Sequence, residues 1–248
     1  MTDRGVLTWQ VAVAAFLLAA WELAGGESGW ISAPSLIAVR LVTLAATDLA
    51  VHVGTTLLEM GLGLSIGVPT GVIVGLLLSQ MPVAASLLRP MIVVLYSVPR
   101  VTLAPVLILW MGLDLQPKVF LVAAVSFFLL FFTVFTGAQR IDTDMLAGMR
   151  LIGADRREVF VKVLLPACSA WIVAGLRIAL PYAIVAATVG EMIASRRGVG
   201  FLLTAAAAQI DMTGLYAALM VLMALGVIIA VGTDRLEGRL LRWRRGAS

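Results

Sequence analysis

The chain has 248 residues, 61% of them hydrophobic and 13% charged, with a mean hydropathy of +1.05, a balance that excludes a water-soluble domain and requires lipid as solvent. The net charge of +4 does not point to nucleic acid, because the cations are scattered between apolar runs and form no stripe. One cysteine, Cys168, excludes an internal disulfide, and with one histidine, His52, it leaves no cluster for a zinc or haem site.

Apolar runs of membrane-spanning length recur throughout, and no polar stretch between them is long enough to fold separately, so residues 1–248 read as a single all-α, polytopic membrane domain. Six transmembrane helices are expected, at about Leu7–Leu23, Thr55–Gln80, Met91–Met111, Val119–Ala138, Trp171–Ile193 and Tyr216–Val231. The first could pass for a signal peptide, but no cleavage site followed by a soluble mature chain comes after it, so it is expected to stay as a helix. After the break at Pro34, Ser35–Asp48 sets apolar residues beside Arg40 and Asp48 and predicts a short interfacial helix.

The second helix carries Gly63, Gly67, Gly71 and Gly75 four residues apart, a stripe along which another helix backbone can approach closely. The third contains Pro99 and Pro105, each removing a backbone donor, so a kinked or partly unwound segment is expected, of the kind that lines a translocation path. Arg100 beside the first proline is a cation at membrane depth, which faces a partner or an aqueous cavity, or else snorkels to the interface. Glu59, Arg177 and Glu191 are the other ionisable groups within or beside the apolar runs and complete the candidate path residues.

If both termini are cytoplasmic, twelve of the eighteen cations lie inside, and only Arg40, Lys118, Arg196 and Arg197 lie outside, with Arg100 and Arg177 at depth. That is the distribution the positive-inside rule favours.

The polar interruption at about 140–166 is too long for a tight turn. It predicts two short amphipathic helices broken near Gly153, one with Met145, Leu146 and Met149 on one side, the other with Val159, Phe160 and Val163. An exposed apolar ridge on such a loop implies a protein partner.

Gly153 is followed ten residues on by Val163 and then by Leu165-Pro166, the spacing in the cytoplasmic loop of the permease family of bacterial ABC importers, which this sequence resembles. The likeness extends through Gly175-Leu176-Arg177, Glu191-Met192 and Gly198-Val199-Gly200, and upstream through His52, Thr56-Leu57, residues 98–105 and Trp110-Met111-Gly112. This pattern is similar to the subfamily serving sulfonates, taurine, nitrate and related small molecules.

The resemblance implies a type I importer permease fold in the bacterial inner membrane, with a loop that docks on a cytoplasmic ATPase through Ala147, Gly148, Met149, Arg150 and Gly153. It further implies a second permease copy, two ATPase subunits that bind the ATP and Mg, and an extracytoplasmic substrate-binding protein. Two departures stand out: the family's usual glutamate is Ala147 here, and its usual proline is Ala170. Losing an exposed or rim charge pair costs roughly 0–1 kcal/mol, so docking is expected to survive.

No enzyme is expected of the chain itself. A phosphate-cradling loop needs Gly-Lys before Ser or Thr, whereas Pro117 precedes Lys118 and Val161 precedes Lys162. Ser65, Ser126 and Ser169 have no histidine at helical spacing, which leaves no nucleophile and base for an intramembrane hydrolase. An ion-driven carrier would call for inverted repeats and more intramembrane carboxylates. Arg100 suits an anionic solute such as a sulfonate, taurine, nitrate or an aromatic carboxylate, while a neutral pyrimidine-type vitamin precursor would not require it.

Overall fold

The computed structural model describes residues 3–27, 30–97, 100–141, 148 and 153–240, which form helices joined by short turns. In chain order these are α1 (Asp3–Glu27), α2 (Pro34–Ala46), α3 (Leu49–Ser79), α4 (Pro82–Ser97), a 3-10 turn (Arg100–Leu103), α5 (Ala104–Met111), α6 (Leu115–Ala138) and α7 (Arg156–Val159). A π-helical stretch (Phe160–Leu164) follows, then α8 (Leu165–Ala194), α9 (Val199–Ala208) and α10 (Met212–Leu240). Helices α1, α3, α6, α8 and α10 are each long and apolar enough to cross a membrane.

The core is a three-helix sandwich in which α6 lies between α3 and α8. Leu121, Val122, Val125 and Leu130 of α6 meet Met60 of α3 on one side and Ala179, Ala183 and Ala187 of α8 on the other. The glycine stripe lies on the α3–α6 seam. A methyl group at Gly63 would collide with Val122, and one at Gly67 with the Ala123 carbonyl and, at 2.9 Å, the Ser126 Cβ. At Gly71 it would come within 2.6 Å of the Phe127 carbonyl oxygen, and at Gly75 within 3.0 Å of that of Phe131.

Both chains of contacts advance together, 63 to 75 against 122 to 131, so α3 and α6 run in the same direction. Residues 80–114 must therefore return across the membrane. Here the expected continuous third helix is replaced by two pieces, α4 and α5, with the 3-10 turn leading into the second. Pro99 lies outside the described residues, and Pro105 does not kink a helix but begins one, in the first turn where its missing N–H costs nothing. Helix α8 runs antiparallel to α6, since Gly137 meets Trp171 at one end and Gly190 meets Lys118 at the other.

The short helix expected after Pro34 forms as α2 and is fastened at its first turn and its middle: Ser35 donates from its amide and hydroxyl to Glu22, and Arg40 pairs with Asp211 at 3.0 Å. Helix α9 was not expected; its ten mostly apolar residues are too few to span a bilayer, and it folds back beside α8 and α10. Helix α1 leaves Trp9, Phe16, Leu17 and Leu23 exposed, as a helix bordered by lipid does.

Gly67→Leu is expected to lower the thermal unfolding midpoint in detergent by the equivalent of about 1–3 kcal/mol, the cost of overpacking a close seam. Gly61→Ala, where a methyl meets nothing within 4 Å, should leave it unchanged. Intrinsic tryptophan fluorescence reads both, and equal midpoints would remove the seam.

Candidate functional site

Where α3 and α6 begin and α8 ends, three charged side chains meet in the core. Glu59 and Glu191 are fully buried and Lys118 nearly so. The Lys118 ammonium forms an ion pair with Glu59 and lies 3.1 Å from the Ser195 hydroxyl. Glu191 is held by neutral donors: the Thr56 hydroxyl donates to Oε1 and the Gly200 N–H to Oε2, each at 2.7 Å. Thr56 in turn accepts the Val199 N–H at 3.0 Å, and His52 Nδ1 stands 3.1 Å from both the nitrogen and the oxygen of the Gly198 backbone.

These contacts give Gly198-Val199-Gly200 a physical reason. The first amides of α9 have no partner within their own helix, and Glu191 and Thr56 supply the acceptors, with the carboxylate at the positive end of the helix dipole. Gly198 has φ +107°, and a methyl there would strike the Glu191 carboxylate; one at Gly200 would lie 2.8 Å from the Glu191 Cβ. The carboxylate thus packs directly on backbone. His52 stacks on Phe201, with ring centroids 5.9 Å apart, and holds the same turn from the side of α3.

Above the cluster opens a cleft of about 840 Å³. Its polar wall includes Thr55, Glu59, Asp114, Lys118, Arg196 and Arg197, and its apolar wall Leu113, Leu115, Met192 and Ile193.

Two of the expected path residues, Glu59 and Glu191, are thus brought together. Arg177 is not with them: it projects from the far side of α8 and pairs with Asp234 at 3.1 Å and Glu237 at 3.2 Å on α10. Arg100 stands in the 3-10 turn and Pro105 in α5, both on the broken crossing. Lys118 was missed because a lysine at the edge of an apolar run, just after Pro117, reads as an interfacial anchor. Its one signal was its position three residues into α6, with a side chain long enough to reach back into the core.

At the opposite end of the bundle lie the described residues of the 140–166 segment, 140, 141, 148 and 153–166. Ala147, Met149 and Arg150 lie outside the described residues; Gly148 and Gly153 are exposed, the latter with φ +86°. Asp155 and Glu158 form a reciprocal cap, the Asp155 carboxylate accepting the Glu158 N–H at 2.6 Å and the Glu158 carboxylate the Asp155 N–H at 3.2 Å. Lys162, 2.7 Å away, and the Asp155 amide hold the Glu158 carboxyl below its ordinary pKa.

The second short helix expected here is not separate. It passes through the π-helical stretch into α8, and Val159, expected on an exposed ridge, is buried, while Phe160 packs against Leu76, Val134 and Leu164. Leu165-Pro166 explains the join: Pro166 has no N–H for the preceding turn, and a single wide turn lets the helix continue past it. Leu165 and Pro166 are exposed. Arg140 lies over the Trp171 ring, 5.4 Å from its centroid, joining the end of α6 to the start of α8.

The family described as binding-protein-dependent transport system inner membrane component matches residues 67–242. The chain belongs to that family. It is a multi-pass membrane protein and the permease component of an ABC importer.

Among its relatives, the putative aliphatic sulfonates transport permease SsuC of Escherichia coli is 30% identical, over 96% of this chain and 94% of its own length. The formylaminopyrimidine transport permease ThiX of Halalkalibacterium halodurans is 26% identical, over 92% and 93% respectively. The taurine transport permease TauC of Escherichia coli is 25% identical, over 85% and 78%. An inward-facing structure of the MetNI methionine ABC transporter shares the fold, with a TM-score of 0.62 over 75% of this chain and 91% of that one at 20% identity.

Lys118→Met would strand Glu59 without a counter-charge and is expected to cost about 3–5 kcal/mol. Adding Glu59→Gln should recover much of that loss. A double-mutant cycle on thermal unfolding in detergent measures the coupling, and additive losses would dissolve the pair.

Proposed function

We propose that two copies of this chain enclose the importer's path, that two cytoplasmic ATPases drive it, and that an extracytoplasmic binding protein delivers solute at the cleft end. The observation that carries this reading is mechanical. From Arg156 to Ala194 the backbone is continuously helical, through the π-helical stretch and past Pro166 and Pro181, with the docking loop at one end and Glu191 at the other. In this reading a displacement of the loop is passed along that helix to the Glu191 network.

In this reading Ala147, Gly148, Met149, Arg150 and Gly153 dock on the ATPase, and Val163, Leu165 and Pro166 form the joint that passes its thrust into α8. ATP and Mg are bound by the partner, and this chain holds no cofactor. The end that holds the cleft carries four of the cations and faces outward, and the loop end, with twelve, faces the cytoplasm, with both termini on that side. Glu59 and Glu191 secure the outer end of the path, while the broken crossing, with Pro99, Arg100 and Pro105, is the segment free to move. Arg177 acts as a clasp between α8 and α10.

The solute is read as a small anion such as a sulfonate, taurine, nitrate or an aromatic carboxylate. Relatives named for aliphatic sulfonates and for taurine support this reading. The relative named for formylaminopyrimidine supports a neutral pyrimidine instead.

Purifying the tagged chain from native membranes in mild detergent, with mass spectrometry of whatever accompanies it, tests the assembly. An ATPase carrying Walker motifs is expected, and an intact chain repeatedly recovered alone would sink the reading in favour of a secondary carrier. Ala147→Pro is expected to let ATP hydrolysis continue while uptake falls to background. Normal uptake by this variant would remove the docking assignment.

A further inference from the structure

The cleft above the Glu59–Lys118 pair is lined by three cations and two carboxylates. Lys118 and Glu59 neutralise one another, and Glu191 behind them has both oxygens bonded. Arg196 and Arg197, also on the lining, are exposed and form no ion pair among the described residues.

The two guanidiniums stand on a built turn. The Ser195 hydroxyl donates to the Arg197 carbonyl at 2.5 Å, accepts the Arg197 N–H at 3.3 Å, and lies 3.1 Å from the Lys118 ammonium. The buried ion pair therefore fixes the position of the rim. The remaining wall is hydrocarbon, and the volume of about 840 Å³ falls within the range of small-molecule sites.

We propose that this cleft is the entry site for the transported solute and that it takes a small organic anion. A sulfonate or carboxylate head meets Arg196 and Arg197, and a short hydrocarbon body lies on Leu113 and Met192. The proposal rests on the importer reading and narrows it. A bare inorganic anion would leave the apolar wall against water, and a neutral heterocycle would leave both guanidiniums without a counter-charge. A lipid phosphate offers similar head-group chemistry, so the test separates the two sources.

The experiment introduces Thr55→Cys, one turn before Glu59 on the cleft wall, into the full chain with Cys168→Ser. Rates of modification by 2-sulfonatoethyl and by 2-trimethylammonioethyl methanethiosulfonate are measured in vesicles, each relative to its rate with glutathione. The sulfonate reagent should be favoured on the order of tenfold, the focusing expected of a cationic cleft with low-dielectric walls. The preference should fall to near parity when Arg196→Gln and Arg197→Gln are combined, and ethanesulfonate should slow the reaction saturably. Met192→Cys, also on the lining, serves as a second reporter should the first variant fail to elute as a folded species.

Equal rates, or a preference for the ammonium reagent, would overturn the proposal. So would failure of both reporters to react in folded protein, which would mean that another surface covers the cleft. Protection that follows phosphatidylglycerol content and ignores ethanesulfonate would assign the site to lipid and overturn it as well. If charge preference is absent while the ATPase still co-purifies, the cleft assignment fails and the importer reading stands.

Discussion

The α3–α6 seam governs the rest of the structure. Within a bilayer, helices gain little from hiding apolar surface, because the lipid is equally apolar, so association depends on close packing. Four glycines at a spacing of four let two backbones meet along a shared register from Gly63 to Gly75. Because the two helices run the same way, the segment between them has to cross back, and it does so as two short helices with a 3-10 turn between them. Such broken backbone survives at membrane depth only where protein or an aqueous cavity covers it.

The same seam positions the charges. Glu59 lies one turn before the stripe on α3 and Lys118 near the start of α6, so parallel packing of the two helices brings carboxylate and ammonium together. Helix α8, returning antiparallel with Gly190 against the lysine stem, adds Glu191. Its carboxylate then organises the following turn, because α9 begins with amides that need acceptors and Glu191 with Thr56 provides them. A buried ion pair of this kind is weak evidence of added stability, since desolvation offsets much of the attraction. Its clearer consequence is specific geometry: removing either member of the Glu59–Lys118 pair leaves the other stranded.

Function follows from what lies at the two ends of the α7–α8 helix. One end enters the 140–166 segment, and the other holds the charge cluster and the cleft rim. The π-helical stretch at Phe160–Leu164 is what allows this continuity past Pro166. Arg177 belongs to a different task, tying α8 to α10 through two carboxylates on the exposed flank of the bundle.

Composition and hydropathy by themselves determined an all-helical chain crossing the membrane, because run length against bilayer thickness is a local property. The Gly153 to Pro166 spacing likewise made the family legible, and the fourfold glycine repeat announced a packing seam. What the local pattern could not carry was partnership. Glu59, Lys118 and Glu191 are far apart in sequence, and only the parallel and antiparallel packing of three helices makes them neighbours. Val159 and Phe160 have the periodicity of an exposed ridge, yet they turn inward because the π-helical turn rotates the helix as it enters α8. Helix α9 was invisible as an element because ten mostly apolar residues do not span a bilayer, and its start is fixed by acceptors supplied from α3 and α8. Periodicity records which residues avoid water, and only the tertiary structure decides whether lipid, another helix or a solute takes its place.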